Sequence, residues 1–528
     1  MDRKPLKDQR YWIIYFLIFG LIGFLPDLLI HLNTPADLVY TGGLINTDDI
    51  SVYLSAIRQG AQGSWLFTSQ FSPEPIPAQV AYLGFILVGK LQSLLGGSTM
   101  LWFQALRIGS LAAVGLALKS LLETVFPSRD RIQQTAWLLL LFGSGLGWLA
   151  GTIFRDYSAL TPDLFTPEWN LLTSLYSSPH FLLGIAGQAW FFSYILRCFN
   201  HPARKNVLFG MLSALLIAAA YPFIAPVNGL ILSVFFLVTT IKTKKIAWMK
   251  IGLALLQSIP LLLSLAYYGL VLPRDPLWEQ TLLQNNQIPP PPLIGVLVGF
   301  GLLIPLLILS VTHRSKAWGD PKFLIVCWLF GNLAALYLPL SFAGRLVLGV
   351  FIPVTLLASE GLEQVFLRWY QEKTTQANQD AFRRAVIWLT VPSTILLVLW
   401  GAQVGLSRKT YPHYYSKADV KAVEFLAERT TSNDLVLADY LIGNYLPRES
   451  EARVFAGHLN LTMELEEKLE LYTIFWLPET SISWRQAMAE EWGIGYIYRN
   501  ASISGVMHDQ IPGTVIYQDG DLTIYRVD

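Results

Sequence analysis

Long apolar runs separated by short polar stretches fill the chain from residue 11 to residue 406. A helix needs roughly 20 mostly apolar residues to cross the hydrocarbon core of a bilayer, which is about 30 Å thick. Eleven of the runs approach or exceed this length and predict eleven membrane-spanning helices. The runs cover residues 11–30, 101–125, 133–153, 180–198, 206–221, 223–241, 247–271, 293–312, 321–340, 346–367 and 385–406.

Basic residues indicate which ends of these helices face the cytoplasm, because Lys and Arg are enriched there. Clusters of Lys and Arg precede the first predicted helix and follow every second one; the other loops carry mostly single Arg residues. The clusters lie within residues 3–10, 129–131, 204–205, 242–250, 314–322 and 368–384. This alternation predicts a cytoplasmic N-terminus and, after eleven crossings, an extracytoplasmic C-terminus. A shorter apolar run at 79–95 is predicted to lie along the membrane interface, because a crossing there would move Arg129 and Arg131 outside.

The composition is that of an integral membrane protein. Of the 528 residues, 53% are hydrophobic and only 14% are charged, whereas a soluble domain carries about 25% charged residues. The net charge of +1 argues against a nucleic-acid partner. The two cysteines, Cys198 and Cys327, lie inside apolar runs and indicate neither a disulfide framework nor a metal-binding spacing.

The end of the chain differs from the rest in charge and in pattern. From Lys409 onwards there are ten Lys or Arg and eighteen Asp or Glu residues, a net charge of −8. Short strand patterns such as Leu435–Ala438 alternate there with amphipathic helix patterns. We therefore predict an α-helical polytopic membrane protein, residues 1–407 with an outward loop at 31–100, followed by a small soluble α/β domain, residues 408–528.

Two adjacent carboxylates, Asp48 and Asp49, stand in the first outward loop. They precede a predicted helix at 50–60, and Tyr53 follows about one turn later. One explanation is structural, since Asp is a good residue for capping the N-terminus of a helix. The other is chemical, because the predicted topology puts both carboxylates beside the outer surface of the membrane.

This arrangement resembles the GT-C superfamily of integral membrane glycosyltransferases, especially the bacterial branch that is similar to protein mannosyltransferases and aminoarabinose transferases. Members carry an acidic pair in the first outward loop, then an aromatic residue, a short interfacial helix and an Arg at the start of the second span. The corresponding features here are Asp48 and Asp49, Tyr53, residues 77–95 and Arg107. The second acidic residue is Asp here, where several relatives have Glu.

The resemblance implies transfer of a sugar from a polyprenyl-phosphate carrier in the membrane lipid to a glycan, lipid or protein acceptor. The reaction would take place at the outer face of the inner (plasma) membrane. Asp48 would be the general base for the acceptor hydroxyl, and Asp49 would be its partner or a metal ligand. A hard cation such as Mg²⁺ or Mn²⁺ would suit carboxylate oxygens.

The same resemblance implies a positive site for the departing phosphate. Arg345 is the leading candidate, because a guanidinium can bind phosphate oxygens in bidentate fashion. An equally good explanation is that Arg345 reaches the lipid headgroups. His180, at a predicted helix start, is a second candidate, and Arg155 and Arg107 are weaker ones.

Aromatic residues near the acidic pair are candidates for contact with a sugar ring. Tyr53 and Trp65 are the two we single out, although aromatic residues at this depth are more often interface anchors. In the tail, His458 after Gly457 is the one notable side chain. A single His of this kind is more often structural than catalytic.

Two other functional classes remain open at this point. A transporter or lipid flippase with an extracytoplasmic accessory domain is the main alternative, but transporters usually place ionisable residues in the middle of spans. The predicted spans here are nearly free of them. The third class is an assembly protein that binds partners through its tail. Loss of activity on Asp48→Asn with normal expression would separate an enzyme from both.

Overall fold

The computed structural model describes residues 6–153, 160–313, 319–371, 373–407, 409–501 and 510–527. The chain divides into two compact units. The first, which we call the helical unit, consists of residues 1–29, 106–270 and 288–406. The second, the loop–tail unit, consists of residues 30–105, 271–287 and 407–528.

Apolar helices dominate the described residues. Seven are long and apolar enough to cross a membrane, and two bent helix pairs raise the number to nine. The seven are Arg10–Asn33, Thr99–Val125, Asp130–Ile153, Pro179–Asn200, Pro222–Thr243, Trp248–Arg274 and Ala343–Gln371. The pairs are Leu293–Phe300 with Leu303–Thr312, bent by 93°, and Gln376–Leu389 with Pro392–Ser407, bent by 43°. The predicted class, a polytopic helical membrane protein, is confirmed.

Some of these spans contain breaks between individual helices. The α-helices within the seven spans are Leu6–Asn33, Thr99–Val125, Asp130–Phe142, Gly147–Ile153, Pro179–Asn200, Ala225–Thr243, Trp248–Ala266, Phe351–Glu360 and Leu367–Gln371. The 93° bend occurs at Gly301, whose φ of 47° lies in the left-handed region that glycine tolerates. Two short helices, Pro162–Phe165 and Leu171–Ser177, precede the span that begins at Pro179.

Two of the eleven predicted spans, 206–221 and 321–340, are shorter than expected. They form the helices Arg204–Ala220 and Asp320–Leu336, of 17 residues each, or about 26 Å at 1.5 Å per residue. The hydrocarbon core is about 30 Å thick. The described residues therefore contain seven candidate spans, or nine with each bent pair counted as one, rather than eleven. Residues such as Tyr221 extend the apolar run beyond the helix.

The loop–tail unit contains all of the described β-structure. Its strands, β1 to β7, are Leu38–Tyr40, Tyr414–Ser416, Leu435–Leu437, Arg453–Val454, Tyr496–Asn500, Thr514–Asp519 and Leu522–Arg526. Its α-helices are Thr47–Ala61, Leu83–Leu95, Pro276–Glu279, Lys417–Ala427, Tyr440–Glu449, Leu465–Phe475 and Ile482–Trp492. β1 and β2 form an antiparallel ribbon, and the other strands form one sheet in the order β4-β3-β5-β7-β6.

The sheet is mixed and is covered on both faces. β3 runs parallel to β4 and β5, whereas β7 is antiparallel to β5 and β6. Val436 packs into one apolar core, and its neighbours Leu435 and Leu437 pack into the other. This alternation is expected because successive residues of a strand point to opposite faces of a sheet. The predicted α/β character of the tail is confirmed.

Sequence patterns missed the helix Tyr440–Glu449. It contains Gly443 and Pro447, two residue types with low helix propensity. The helix begins where it does because the side chain of Asp439 accepts hydrogen bonds from the amides of Leu441 and Ile442, at 2.9 and 3.1 Å. The compact unit that holds the tail also includes residues 30–105, and the boundary proposed at 407–408 stays a prediction.

Two glycines allow the acidic helix to pack closely on the short apolar helix. A Cβ atom on Gly60 would lie 2.2 Å from the carbonyl oxygen of Ile86, and one on Gly89 would lie 2.0 Å from that of Ile57. The backbones of the helices Thr47–Ala61 and Leu83–Leu95 are therefore in direct contact. A larger residue at either glycine would push the acidic helix away from this position.

Candidate active site

Asp48 and Asp49 occupy the first turn of the helix Thr47–Ala61. Negative charge is favourable there because it opposes the positive end of the helix dipole. The residue at the cap itself is Asn46, which has a left-handed φ of 53° and makes no side-chain capping bond. Capping therefore does not account for the two carboxylates, and both contact side chains from distant parts of the sequence.

Two phenols hold Asp48. The hydroxyl of Tyr411 donates to Oδ1, and the hydroxyl of Tyr440 donates to Oδ2 at 3.1 Å. Burial, reinforced by the nearby Asp48 charge, raises the pKa of both tyrosines above the ordinary phenol value. Both phenols consequently remain protonated at neutral pH and act as hydrogen-bond donors to the carboxylate.

Asp49 is held by an imidazole and a third phenol. Nε2 of His458 lies 3.0 Å from Oδ1, and the hydroxyl of Tyr53 donates to Oδ2 at 3.4 Å. The backbone N–H of Asn460 donates to Nδ1 of His458 at 3.2 Å. Because Nδ1 acts as an acceptor, the neutral ring carries its proton on Nε2 and donates it to Asp49. The His458 side chain is 4% exposed and that of Asp49 is 24% exposed.

Parallel strands explain how the tail brings these groups together. Tyr440 follows β3 and His458 follows β4, and carboxyl ends of adjacent parallel strands lie at the same edge of a sheet. The two segments then pack through glycines: a Cβ on Gly443 would lie 1.9 Å from the carbonyl oxygen of Ala456, and one on Gly457 would lie 2.3 Å from that of Gly443. In the dipeptide Gly457-His458, the glycine therefore allows the two segments to pack closely and the histidine contacts Asp49.

The two aromatic candidates differ in their surroundings. The Tyr53 ring is 6% exposed and stacks on Phe85, with centroids 4.4 Å apart and an interplanar angle of 10°. These contacts favour a role in holding Asp49 over a role in stacking on a sugar. Trp65, by contrast, is 64% exposed, and the Lys90 ammonium lies 4.8 Å from its ring centroid.

In the helical unit, two of the predicted phosphate-site residues share a neighbour. The His180 ring stacks on Tyr221 at 5.7 Å, and the Tyr221 hydroxyl approaches the carbonyl oxygen of Arg345 at 3.3 Å. Tyr221 also donates to Glu168 at 2.9 Å, and the Arg345 guanidinium lies 3.8 Å from the same carboxylate oxygen. His180 itself has Nδ1 at 2.7 Å from the hydroxyl of Ser178.

Arg107 is engaged in a different interaction. It forms a bidentate pair with Asp27, with N–O distances of 2.9 and 3.1 Å, and donates to the carbonyl oxygen of Leu175 at 3.1 Å. Its side chain is 1% exposed. This geometry favours a role in holding helices together over a role in binding phosphate. Arg155, the remaining candidate, lies outside the described residues.

The side chains around Asp48 and Asp49 give little support to the predicted Mg²⁺ or Mn²⁺ site. Within the described part of the chain, no group of three or more His, Cys, Asp or Glu side chains is arranged to hold a metal ion.

Tyr411, Tyr440 and Glu168 are site neighbours that sequence reasoning missed. Tyr440 follows the predicted strand Leu435–Ala438 and His458 follows Gly457, and these positions were the available signal.

No family profile and no curated sequence matches the chain. Solved structures match it in fold. The arabinofuranosyltransferase AftD from Mycobacteria aligns with 96% of this chain and 40% of its own, at 14% identity and a TM-score of 0.59. AglB, the oligosaccharyltransferase of Archaeoglobus fulgidus, solved with an inhibitory peptide and a dolichol-phosphate, aligns with 94% of this chain and 70% of its own, at 12% identity and a TM-score of 0.55. ArnT from Cupriavidus metallidurans in the apo state aligns with 97% of both chains, at 14% identity and a TM-score of 0.52.

Identities this low establish the fold and not the activity. The chain has the fold of GT-C glycosyltransferases, so the resemblance seen in the sequence is confirmed at that level. This chain spans only two fifths of AftD but 97% of ArnT. The archaeal oligosaccharyltransferase has also been solved with zinc and sulfate.

Proposed function

We propose that this protein is a membrane glycosyltransferase that moves a sugar from a polyprenyl-phosphate carrier to an acceptor on the outer face of the membrane. The observation that carries the proposal is the hydrogen-bonded pair of carboxylates, Asp48 and Asp49, in a chain with this fold. AglB, which shares the fold, has been solved with a dolichol-phosphate. The sugar and the acceptor are left open by this proposal.

The proposed step is a displacement at the anomeric carbon. The acceptor hydroxyl oxygen forms a bond to that carbon while the carbon–oxygen bond to phosphate breaks. Asp48 takes the hydroxyl proton, and the polyprenyl phosphate leaves with the bonding electron pair. A carboxylate oxygen has two lone-pair directions, so the single phenol bond to each Asp48 oxygen leaves one direction open for the acceptor.

Asp48 is well prepared for this role by its neighbours. The hydroxyls of Tyr411 and Tyr440 fix the plane of the carboxylate, and a base that is already oriented needs less reorganisation in the transition state. Asp49 is held beside it by His458 and Tyr53. We assign Asp48 as the base and Asp49 as its partner.

We propose Arg345 as the group that binds the departing phosphate, with His180 beside it. The Arg345 side chain is 14% exposed, and Glu168 lies 3.8 Å away. A phosphate with two negative charges would compete with the Glu168 carboxylate for the guanidinium. A guanidinium can bind phosphate oxygens in bidentate fashion.

Mg²⁺ or Mn²⁺ would have to be held by Asp48 and Asp49, but these residues do not form a complete ligand set. Each of the four carboxylate oxygens accepts a hydrogen bond from a protein side chain. Within the described residues, no group of three or more His, Cys, Asp or Glu side chains is arranged to hold a metal ion. We therefore assign no step of the reaction to a metal ion.

We propose that the acidic pair and the tail both face the outside, with the N-terminus in the cytoplasm. The contacts between Asp48 and the tail residues Tyr411 and Tyr440 require both segments to be on one side of the membrane. An even number of crossings must then lie between them. Eight candidate spans, with each bent pair counted as one, or ten with the two 17-residue helices, satisfy this condition.

The proposal is tested with the purified protein in lipid nanodiscs. Synthetic polyprenyl-phosphate hexoses and pentoses serve as donors, cell-envelope extract serves as the acceptor, and mass spectrometry measures the release of polyprenyl phosphate. We expect Asp48→Asn to lower the rate by about 10²–10⁴-fold and Asp49→Asn to lower it less. Asp37→Asn, an exposed position in the same loop, is the matched control and should retain the wild-type rate.

Two outcomes would contradict the proposal at different levels. Equal rates for the wild type and Asp48→Asn would remove Asp48 from the mechanism. Absence of release from every donor by the wild type, with the extract present, would contradict the transferase function itself.

A further inference from the structure

We infer that the tail takes part in catalysis as a positioning element, with His458 as its central residue. In this arrangement His458 orients Asp49, Tyr411 and Tyr440 orient Asp48, and the tail is an integral part of the transfer site. The inference rests on the proposed function, because a positioning residue needs a reaction to position for. It assigns a role to a domain that has no obvious catalytic set of its own.

The imidazole of His458 is fixed on several sides. Its Nδ1 accepts the N–H of Asn460 at 3.2 Å, and its ring meets Phe71 edge-on with centroids 5.7 Å apart. The backbone N–H of His458 also donates to the hydroxyl of Thr462 at 3.0 Å. With the ring held and Nδ1 already paired, the Nε2–H is directed at Asp49, 3.0 Å away.

The supporting loop is itself well anchored within the loop–tail unit. The Thr462 hydroxyl donates to the carbonyl oxygen of Phe71 at 2.6 Å, and the backbone N–H of Met463 donates to the hydroxyl of Ser72 at 3.1 Å. Both partners come from the segment that follows the acidic helix. The geometry of His458 relative to Asp49 is therefore determined by backbone contacts as well as by the side chain.

This arrangement excludes a role for His458 as the proton acceptor. Nδ1 is occupied by a backbone N–H, and Nε2 carries the proton that Asp49 accepts. What the residue can do is fix the carboxylate of Asp49, next to Asp48, without adding a positive charge. Preorganised supporting residues of this kind typically decide whether a catalytic group lies within about 0.5 Å of its productive position.

Two substitutions of His458 test the contacts of its two ring nitrogens separately. In His458→Gln the side-chain amide reaches about as far as Nε2 and can still donate to Asp49. In His458→Asn it reaches only as far as Nδ1, so it can still accept from Asn460 but loses Asp49. If His458 only stabilises the loop, His458→Asn should preserve its role. If His458 positions Asp49, only His458→Gln should preserve it.

The experiment measures kcat and the KM for the donor in the nanodisc assay for both variants. We expect His458→Gln to stay within about threefold of the wild-type kcat, and His458→Asn to lose about 10–100-fold with an unchanged KM, since misplacement by about 1 Å can cost 10²-fold. Thermal unfolding should be similar for both. Tyr440→Phe, which removes one donor to Asp48, should lower kcat about tenfold, and Tyr517→Phe on β6 is the control.

The outcomes are distinguishable from a failure of the proposed function. An inactive Asp48→Asn beside a fully active His458→Asn would overturn the inference and leave the transferase function standing. If His458→Asn does not fold, wild-type kcat in Tyr440→Phe would overturn the inference in the same way. A wild-type protein without transfer activity would overturn the proposed function and this inference with it.

Discussion

Nε2 of His458 lies 3.0 Å from Oδ1 of Asp49, although the two residues are 409 positions apart in the chain. A proton on Nε2 is required by the backbone N–H that Nδ1 accepts. The pair joins the first loop of the sequence to its tail within one compact unit. Asp49 is therefore part of a hydrogen-bonded cluster and is not simply a helix cap.

Arg345 provides the first prediction. If it binds the donor phosphate, Arg345→Ala should weaken the apparent affinity for the donor by about tenfold to a hundredfold, because a hydrogen bond to a charged group contributes about 1.5–3 kcal/mol. Lys should restore only part of it, since an ammonium lacks the planar fork of a guanidinium. Kinetics with varied donor lipid measure the effect. Unchanged donor affinity in both variants would identify Arg345 as a headgroup anchor.

The topology makes a second prediction, which cysteine labelling of intact cells can check. Ser432 and Gln376 are both exposed, and the native Cys198 and Cys327 are buried and free. We expect an impermeant thiol reagent to label Ser432→Cys from outside and to label Gln376→Cys only after permeabilisation. The reverse pattern would contradict the proposed orientation.

The Arg107–Asp27 pair makes a third prediction, on stability. Removing one partner of a buried ion pair costs about 3–5 kcal/mol of the free energy of unfolding, so Arg107→Met should lower the unfolding temperature of the purified protein markedly. Changing both partners, in Arg107→Met with Asp27→Leu, should recover much of the loss. A stable Arg107→Met that fails only in donor binding would instead support the phosphate role predicted from the resemblance.

The tyrosines around Asp48 make a fourth prediction, on the pH dependence of stability. Burial, together with the hydrogen bond to Asp48 and the charge of that carboxylate, raises the pKa of Tyr411 and Tyr440 in the folded state, while an unfolded chain titrates them near pH 10. Below that pH both the folded and the unfolded state hold the phenol protons, so these two groups do not make the free energy of unfolding depend on pH. Above it only the unfolded state releases the proton, so stability should fall.

Unfolding temperatures measured between about pH 7 and pH 11 test this directly. The double variant Tyr411→Phe with Tyr440→Phe should show a weaker loss above pH 10 than the wild type, because two of the affected phenols are gone. The double variant should still lose some stability above pH 10, since burial also raises the pKa of Tyr415 and Tyr498. An identical decline in both proteins would contradict the raised pKa of Tyr411 and Tyr440 in the folded state.

Much of the architecture is local in origin and could be predicted. Apolar runs such as 11–30 indicate spans because every backbone polar group in a bilayer must be paired within the helix. The hairpin of β6 and β7 follows from alternating residues on either side of Gly520, whose φ is 59°. Asp48 and Asp49 could be singled out because their position after an apolar run is visible along the sequence.

The partners of these residues depended on tertiary structure. The approach of Tyr440 and His458 to the acidic pair requires the parallel alignment of β3 with β4 and the close packing of Gly443 on Gly457, and neither is encoded in local pattern. Glu168 beside Arg345 and Asp27 beside Arg107 are likewise long-range pairs. A sequence pattern reports which face of an element is apolar, whereas contacts between elements depend on packing over the whole chain, and that packing decided which side chains meet.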